Sequence, residues 1–224
     1  MIEPTRWGEW DTEKVGHLPC GGGLVQASVA DVERPCREVA ARWHTDVVRE
    51  FATTDATELA SHVARARSLQ PKHFVFAHRA GWTLLLGGGG DDALGQVGLA
   101  SDALPTALCI HAVFYSNARR YVEFLGGRDS RAISCLDDGG NRWKYYEKGP
   151  RLPFEEVEAY QRKRKSKRLT PEMVLRYVKH RTGFDFPRTV DEVLASFDVK
   201  CVVMARRPDA PPPPPFFLKL DGSK

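Results

Sequence analysis

The sequence predicts an α+β fold in which a mainly antiparallel central sheet is covered by helices. Its main support is the stretch 106–149, where β-type segments follow one another near 106–115, 117–125, 130–136 and 141–147. The connections 126–129 and 137–140 read Gly-Gly-Arg-Asp and Asp-Asp-Gly-Gly, which is the residue chemistry of hairpin turns. Connections of this length are too short for parallel crossovers, so the segments form a meander over 106–147.

The first third of the chain alternates strand and helix signals, which predict a strand at 24–29, an ambiguous segment at 46–51, and helices at 31–43 and 55–69. Residues 1–23 look irregular, with Gly21-Gly22-Gly23 as a flexible joint. Pro35 must lie in the first turn of its helix, where proline is tolerated. The second helix begins at a cap supplied by Asp55 or Thr57.

A pair of strands at 73–79 and 82–86 is predicted around Ala80-Gly81 and joins the meander in the central sheet. His73 and His78 are separated by an odd number of residues, so a regular strand directs them to opposite faces. Residues 87–92 are predicted to form a loop, and 94–104 a short helix.

The second half of the chain is mainly helical. A helix over 154–168 is predicted from the i, i+3, i+6 spacing of Phe154, Val157 and Tyr160. Thr170-Pro171-Glu172 starts the next helix with a cap, a proline in the first turn and an acid near the positive end. We expect the helices 55–69, 154–168 and 170–182 to cover one face of the sheet. A short helix capped by Thr189 and a strand at 199–205 follow.

Composition is that of an ordinary globular protein, with 224 residues, 42% of them hydrophobic, and a formal net charge of +4. We predict an irregular segment 1–23, a single α+β domain 24–207 and a proline-rich tail 208–224 in polyproline II conformation. The N-terminus lacks a signal-peptide core and the apolar runs are too short for a bilayer, so we predict a cytoplasmic location and no membrane partner. Five widely spaced cysteines suit buried thiols in a reducing compartment.

Few motifs invite a catalytic interpretation. Residues 87–90 (GGGG) follow a strand as a phosphate loop would, but no Lys-Ser or Lys-Thr follows, and Asp91 and Asp92 would repel phosphate. Asp137-Asp138 before two glycines favours a turn over a carboxylate pair. The histidines are scattered and no Cys-x-x-Cys pair exists, so no metal or cofactor is predicted. An enzyme whose site assembles in space from a histidine, a cysteine and a carboxylate stays open.

Residues 162–168 (RKRKSKR) carry six cations in seven residues. One interpretation is a nucleic-acid patch that uses Arg162, Lys163, Arg164, Lys165, Lys167 and Arg168. The favoured interpretation is the solvated end of helix 154–168, because cations there complement the helix dipole and the run wraps the whole helix. An acidic partner is compatible with both.

Strict alternation in the last strand of the meander separates two sets of side chains. Trp143 and Tyr145 share one face, and Arg142, Lys144 and Tyr146 share the other. One face must belong to the core. If the other is exposed, it presents a row of cations and an aromatic ring, which suits a polar protein interface or RNA bases.

Several short segments resemble bacterial immunity-type proteins, which are small cytosolic proteins that neutralise polymorphic or secreted toxins. They are 81–85 (GWTLL), 121–124 (YVEF), 131–133 (RAI) and Trp143 before Gly149, within a region of about residues 73–182. The resemblance implies a non-enzymatic inhibitor that masks the active site of a toxin. It carries over no functional residue.

The leading prediction is therefore a non-enzymatic protein-binding protein, in the first place an immunity protein for a cognate bacterial toxin. The first alternative is a nucleic-acid-associated protein that uses the basic 162–168 segment, and the second is an enzyme with a spatially assembled site. The candidate partner-binding residues are Arg142, Lys144, Tyr146, Asp137, Asp138, Arg162, Lys163 and Lys165.

Overall fold

Nine strands in the described part of the chain form one antiparallel sheet. The structure is a computed structural model, and it describes residues 21–42, 45–65, 72–86, 90–139 and 142–206. The strands are β1 Gly21–Val25, β2 Thr45–Ala52, β3 Lys72–Arg79, β4 Trp82–Leu86, β5 Cys109–Phe114, β6 Ala118–Leu125, β7 Arg128–Asp137, β8 Trp143–Lys148 and β9 Asp198–Arg206. Their spatial order is β2-β9-β3-β4-β1-β5-β6-β7-β8. The predicted α+β class with an antiparallel central sheet is confirmed.

The helices are α1 Val29–Arg42, α2 Ala56–Arg65, α3 Gly90–Ala103, α4 Val157–Tyr160, α5 Pro171–Thr182 and α6 Val190–Ser196, with a 3-10 turn at Lys165–Lys167. Side-chain caps start three of them as predicted. The Asp55 carboxylate accepts the Glu58 amide at 2.7 Å, and the hydroxyl of Thr170 accepts the amide of Met173 at 3.3 Å. The Thr189 hydroxyl likewise accepts an amide of the first turn of α6 at 3.2 Å.

Helices lie on both faces of the sheet, and α2, α4 and α5, which fall within the predicted ranges 55–69, 154–168 and 170–182, share one face as expected. Apolar residues of α2, α4, α5 and α6 form one core with the strands, and those of α1 and α3 form a second core on the other side. The reason is that the central strands are apolar on both faces. In β4, for example, Leu84 belongs to the first core and Leu85 to the second, so both faces must be kept from water.

The predicted hairpin and meander are present. Strands β3 and β4 form a hairpin around Ala80 and Gly81, which both have positive φ. In the meander each strand from β5 to β8 pairs with the next strand along the chain. His73 lies beside His62 of α2, whereas His78 contacts Thr83 on the opposite face, as the odd spacing predicts. The strand predicted at 199–205 is present as β9, and that predicted at 24–29 is present as β1, shifted to Gly21–Val25. Both are inserted in the sheet between strands that are distant in sequence.

Two predictions for the first third of the chain are wrong. Gly21-Gly22-Gly23 is not a joint but the start of β1 in the middle of the sheet. Glycine is needed at position 21 because a Cβ there would approach Ala112 O of the neighbouring strand to 2.7 Å. Pro35 lies inside α1, beyond its first turn. The segment 46–51, for which the sequence favours neither helix nor strand, belongs to strand β2.

The predicted helix over 154–168 is also wrong. Only Val157–Tyr160 is α-helical, and the chain then forms an extended turn that ends in the 3-10 turn. Glu155 is held by Arg131 and its carboxylate also accepts the Leu152 amide at 3.1 Å, which fixes the segment before a long helix can start. The predictions for residues 1–20, 66–69, 87–89 and 208–224 concern parts of the chain outside the described residues.

Candidate functional site

Strand β8 presents the two sets of side chains that its alternation predicts. Trp143 and Tyr145 are half-buried and pack against the core on the α5 side of the sheet. On the opposite face the side chains of Lys144 and Lys148 are 73% and 53% exposed, and Tyr146 is 54% exposed. The predicted row of cations and an aromatic ring is therefore open to solvent.

The open face of β8 continues onto β7. Leu136 lies opposite Lys144 across the two strands, and Ser134 lies opposite Tyr146. On this face α3 packs chiefly on β1 and β5. Among the described elements, the main neighbours of β8 are β7 and the 3-10 turn. We call the residues Leu136, Lys144, Tyr146 and Lys148 the outer face.

The acidic residues near the outer face are engaged with neighbouring cations and turns. Asp138 lies 3.4 Å from Arg142 Nε and 3.3 Å from Lys144 Nζ. An oxygen of the Asp137 carboxylate accepts the amide of Gly139 at 3.1 Å, which is the turn role predicted for this pair. These contacts place Asp137 and Asp138 in the β7–β8 turn, and their role in partner binding stays a prediction.

The basic run 162–168 lies on the α5 side of the sheet, above β6, β7 and β8. Three contacts anchor it: Arg119 Nη1 donates to Ser166 O at 2.7 Å, Cys135 Sγ donates to Lys165 O at 3.0 Å, and Arg168 lies over the Tyr145 ring at 5.3 Å. Five cations are directed outward and exposed, namely Arg162, Lys163, Arg164, Lys165 and Lys167. We call residues 162–168 the basic turn.

The aromatic residues under the basic turn are covered by arginines. The Arg119 guanidinium carbon lies 4.2 Å from the centroid of the Trp143 ring, and Arg168 covers Tyr145. Such stacking stabilises a cation that has lost part of its hydration. Trp143 and Tyr145 therefore hold the basic turn against the sheet and are not the exposed aromatic residues of β8.

A buried ion pair beneath this region was not predicted from the sequence. Arg131 is 1% exposed, and its Nε and Nη2 donate to the two oxygens of Glu155 at 2.7 and 2.6 Å. Its Nη1 donates to the carbonyls of Lys148 and Gly149 at 3.0 and 3.1 Å. The ion pair thus joins β7, the end of β8 and the segment that leads to α4.

Within the part of the chain that the structure describes, no main-chain hydrogen bond engages the outer edge of β8. The Asp138 amide donates to Arg142 O at 3.2 Å, and on the other side of β7 the Asp137 amide donates to Asn117 O at 2.9 Å. Hydrogen-bonded pairs recur at every second residue of an antiparallel ladder. The main-chain amides and carbonyls that bond to β7 are therefore those of Lys144, Tyr146 and Lys148. The main-chain amides and carbonyls of Trp143, Tyr145 and Glu147 point away from β7, toward the outer edge.

The catalytic alternative requires a reactive cysteine, and the four described cysteines are buried free thiols. Burial raises the pKa of Cys36 and Cys201 to about 12 and that of Cys109 to about 11, and it also raises the pKa of Cys135. These thiols are protonated at neutral pH, whereas a nucleophile must be a thiolate.

A cavity in the described part of the molecule lies apart from the predicted residues. A cavity of about 320 Å³ is bordered by Arg79, Phe184, Asp185 and Phe197 near the ends of α5 and α6. Within the described ranges, no group of three or more His, Cys, Asp or Glu side chains converges to hold a metal ion. None of the described helices has the length and apolar character needed to cross a membrane.

The structure brings the predicted partner-binding residues to one end of the sheet, on two faces. Lys144 and Tyr146 belong to the outer face, Arg142, Asp137 and Asp138 to the adjoining turn, and Arg162, Lys163 and Lys165 to the basic turn behind it. The sequence from 128 to 168, which includes β7, β8 and the basic turn, holds twelve Lys or Arg against seven Asp or Glu, so this end of the molecule is basic. We find no match to the chain among protein-family models, curated proteins or solved structures.

Proposed function

We propose that this chain is a non-enzymatic protein-binding protein of the cytoplasm, and that its partner is a cognate bacterial toxin that it neutralises. The observation that carries protein binding is the outer face, where an exposed tyrosine stands between two lysines on a rigid strand. The toxin as partner rests on the resemblance of the central region to immunity-type proteins.

The chemistry of the outer face suits a protein partner. Tyrosine is enriched at interfaces because it provides a large contact area with few rotatable bonds and a hydroxyl that bonds at the wet rim. Tyr146 is fixed by strand pairing to Ser134, so little backbone entropy is lost when it is covered. The surrounding cations select an acidic partner surface and accelerate its association.

The test is capture of the partner from the native host with the full chain and two variants. Tyr146→Ala removes the exposed ring, and Leu99→Ala removes an apolar residue of α3 that is 37% exposed and lies elsewhere. We expect the native chain and Leu99→Ala to retain the partner, and Tyr146→Ala to bind it at least about tenfold more weakly, as for an interface hot spot.

Neutralisation is tested with the captured partner itself. Its expression alone should stop growth of a bacterial host, and co-expression of the chain should restore growth. A partner that is harmless when expressed alone would contradict the immunity role, and the lack of any stoichiometric partner would contradict protein binding.

Nucleic-acid binding is the second candidate, and the exposed cations of the basic turn favour it. The test is binding of DNA and RNA oligonucleotides between low and physiological salt, where counterion release predicts a loss of several-fold or more in affinity. Charge reversal at Lys163 and Lys165 should abolish this binding, whereas Tyr146→Ala should leave it unchanged.

A further inference from the structure

We infer that the outer edge of β8 accepts an extended, acidic segment of the partner as an additional strand of the sheet. The inference rests on the proposed function and deepens it, because it states how the partner binds and which chemistry it presents. Strand addition uses main-chain hydrogen bonds for affinity and side chains on both faces for specificity.

The main chain of β8 is suited to pair with another strand. Its six residues contain no proline, and its register with β7 has no bulge. The amides and carbonyls of Trp143, Tyr145 and Glu147 point outward, and no hydrogen bond within the described ranges engages them. A strand placed there would gain a ladder of the same kind that joins β7 to β8.

Cations border the path of such a strand on both faces of the sheet. On one side lie Lys144 and Lys148 with Arg142, whose side chain is 79% exposed, and on the other side lies the basic turn. The carboxylate of Glu147, which borders the same edge, accepts from the Tyr145 hydroxyl at 2.7 Å and pairs with Arg151 at 3.0 Å. Lys148 is paired with Asp129 at 2.8 Å, and Asp138 lies near both Lys144 and Arg142, so much of the positive charge on the side of the outer face is balanced. The larger excess of positive charge lies on the side of the basic turn, where five cations are exposed, and acidic residues of an incoming strand on that face complement it.

A second copy of the chain fits this edge poorly. Pairing β8 with β8 of another molecule would bring Lys144 and Lys148 close to the same lysines of the copy, and like charges across a strand pair are destabilising. Lysines at an exposed edge are a common protection against such self-pairing. They do not repel an acidic strand.

The other edge of the described sheet, strand β2, differs from β8 both in the regularity of its ladder and in its local charge. Strand β2 has a register shift between Val47 and Arg49 that disturbs its geometry. Its Glu50 lies in an ion-pair cluster with Arg37 and Lys200, so the local charge is mixed. The combination of a regular ladder and a basic surround therefore belongs to β8.

The experiment uses the full chain and a synthetic acidic peptide of eight residues in which glutamate alternates with threonine or valine. Two control peptides accompany it: one with lysine in place of glutamate, and one with the same sequence but a methyl group on every main-chain amide nitrogen. Methylation keeps the charge and removes the N–H donors of both alternating sets of residues, so no register of the ladder retains them. Binding is measured by titration, and amide hydrogen exchange of the chain is followed by NMR.

We expect the acidic peptide to bind and to slow exchange at the outward amides of Trp143, Tyr145 and Glu147. At a free concentration ten times its Kd, exchange should slow by about tenfold. Lys144→Glu and Lys163→Glu should each weaken binding about twofold to tenfold. The control Arg34→Glu reverses a 59% exposed cation on α1 and should leave binding unchanged.

Several results would overturn strand addition. They are equal binding of the N-methylated peptide, binding without slower exchange at the three outward amides, and binding of an oligonucleotide with no binding of the acidic peptide. If the acidic peptide fails while Tyr146→Ala still disrupts capture of the partner, strand addition is wrong and the proposed function stands. If the peptide binds as expected but the chain captures no partner, the edge property stands and the proposed function is wrong.

Discussion

At the residue scale, Arg131 is the most buried cation among the described lysines and arginines. Its guanidinium is 1% exposed and is satisfied by the Glu155 carboxylate and two carbonyls. Neither residue stands out in the sequence, because Arg131 occurs in a strand that alternates like its neighbours. The pair acquires its role only when the segment before α4 folds back onto β7.

We expect Arg131→Met to lower the free energy of unfolding by about 3–5 kcal/mol, because it leaves the Glu155 carboxylate buried without a cation. The measurement is urea denaturation at neutral pH. The double variant Arg131→Met/Glu155→Gln removes both charges and should recover part of the loss. If the double variant is no more stable than Arg131→Met, the ion pair is not the source of the effect.

A second residue-scale prediction concerns the pair of His62 and His73, whose Nδ1 atoms lie 2.7 Å apart and whose side chains are nearly buried. Burial lowers the pKa of both histidines, and the charge of Arg65 lowers both pKa values further. At His62 the charge of Arg49 also lowers the pKa, whereas the carboxylate of Glu58 raises it. One ring must donate and the other accept, so the contact requires at least one neutral ring.

Because the folded-state pKa values lie below the unfolded value of about 6.5, the fold favours the neutral rings. Their contribution to stability is complete above about pH 6.5 and is lost as the pH falls through the folded-state values. We expect the free energy of unfolding to decrease on acidification from pH 7 to 5, and His62→Leu to flatten this dependence. The exposed His180 serves as the control. If His180→Gln flattened the pH dependence of the free energy of unfolding as much as His62→Leu, the dependence would not come from the pair of His62 and His73.

At the element scale, the segment 149–169 shows how tertiary contacts override local periodicity. The spacing of Phe154, Val157 and Tyr160 is helical, but only α4 forms as an α-helix within this segment. The Tyr160 hydroxyl lies 2.9 Å from the Tyr177 hydroxyl and 3.1 Å from Glu155, so these polar contacts fix the backbone direction. By contrast α5 was predicted within one residue, because its cap and terminal glycine are local signals.

Close packing of α3 on β1 leads to a prediction at the same scale. A Cβ on Gly23 would overlap Val97 Cγ2, and Val97 is fully buried. We expect Gly23→Ala to destabilise the fold by about 1–3 kcal/mol through overpacking. Val97→Ala should be destabilising alone because it leaves a cavity.

The two changes should compensate each other. In Gly23→Ala/Val97→Ala the added methyl occupies space left by the valine, so the sum of the single losses should exceed the loss in the double variant. Thermal unfolding of the four proteins measures this coupling. Strict additivity would mean that β1 and α3 separate easily and that the close approach has no energetic weight.

At the scale of the whole molecule, the meander and the alternation of β8 could be predicted from the sequence, whereas the full sheet could not. Turn residues and the alternation of side chains along a strand are signals that lie within a few neighbouring residues of the sequence. Tyr145 and Tyr146 therefore lie on opposite faces, and which one is exposed follows once one face is assigned to the core. The insertion of β9 between β2 and β3, and of β1 between β4 and β5, depends on partners distant in sequence. The position of β8 at the end of the described sheet was missed for the same reason, because it depends on the order of all strands in the sheet.

The order of strands also predicts how amide exchange varies across the molecule. Strands β4, β1 and β5 lie in the interior of the sheet with paired neighbours on both sides, so their amides should be the most protected. In β8 protection should alternate: the amides of Lys144 and Tyr146 bond to β7 and exchange slowly, whereas those of Trp143, Tyr145 and Glu147 face outward and exchange quickly. The measurement is NMR-detected exchange of the free chain at neutral pH. Uniform protection along β8 would show that its outer edge is already covered in the free protein, and it would remove the site at which an acidic strand could pair.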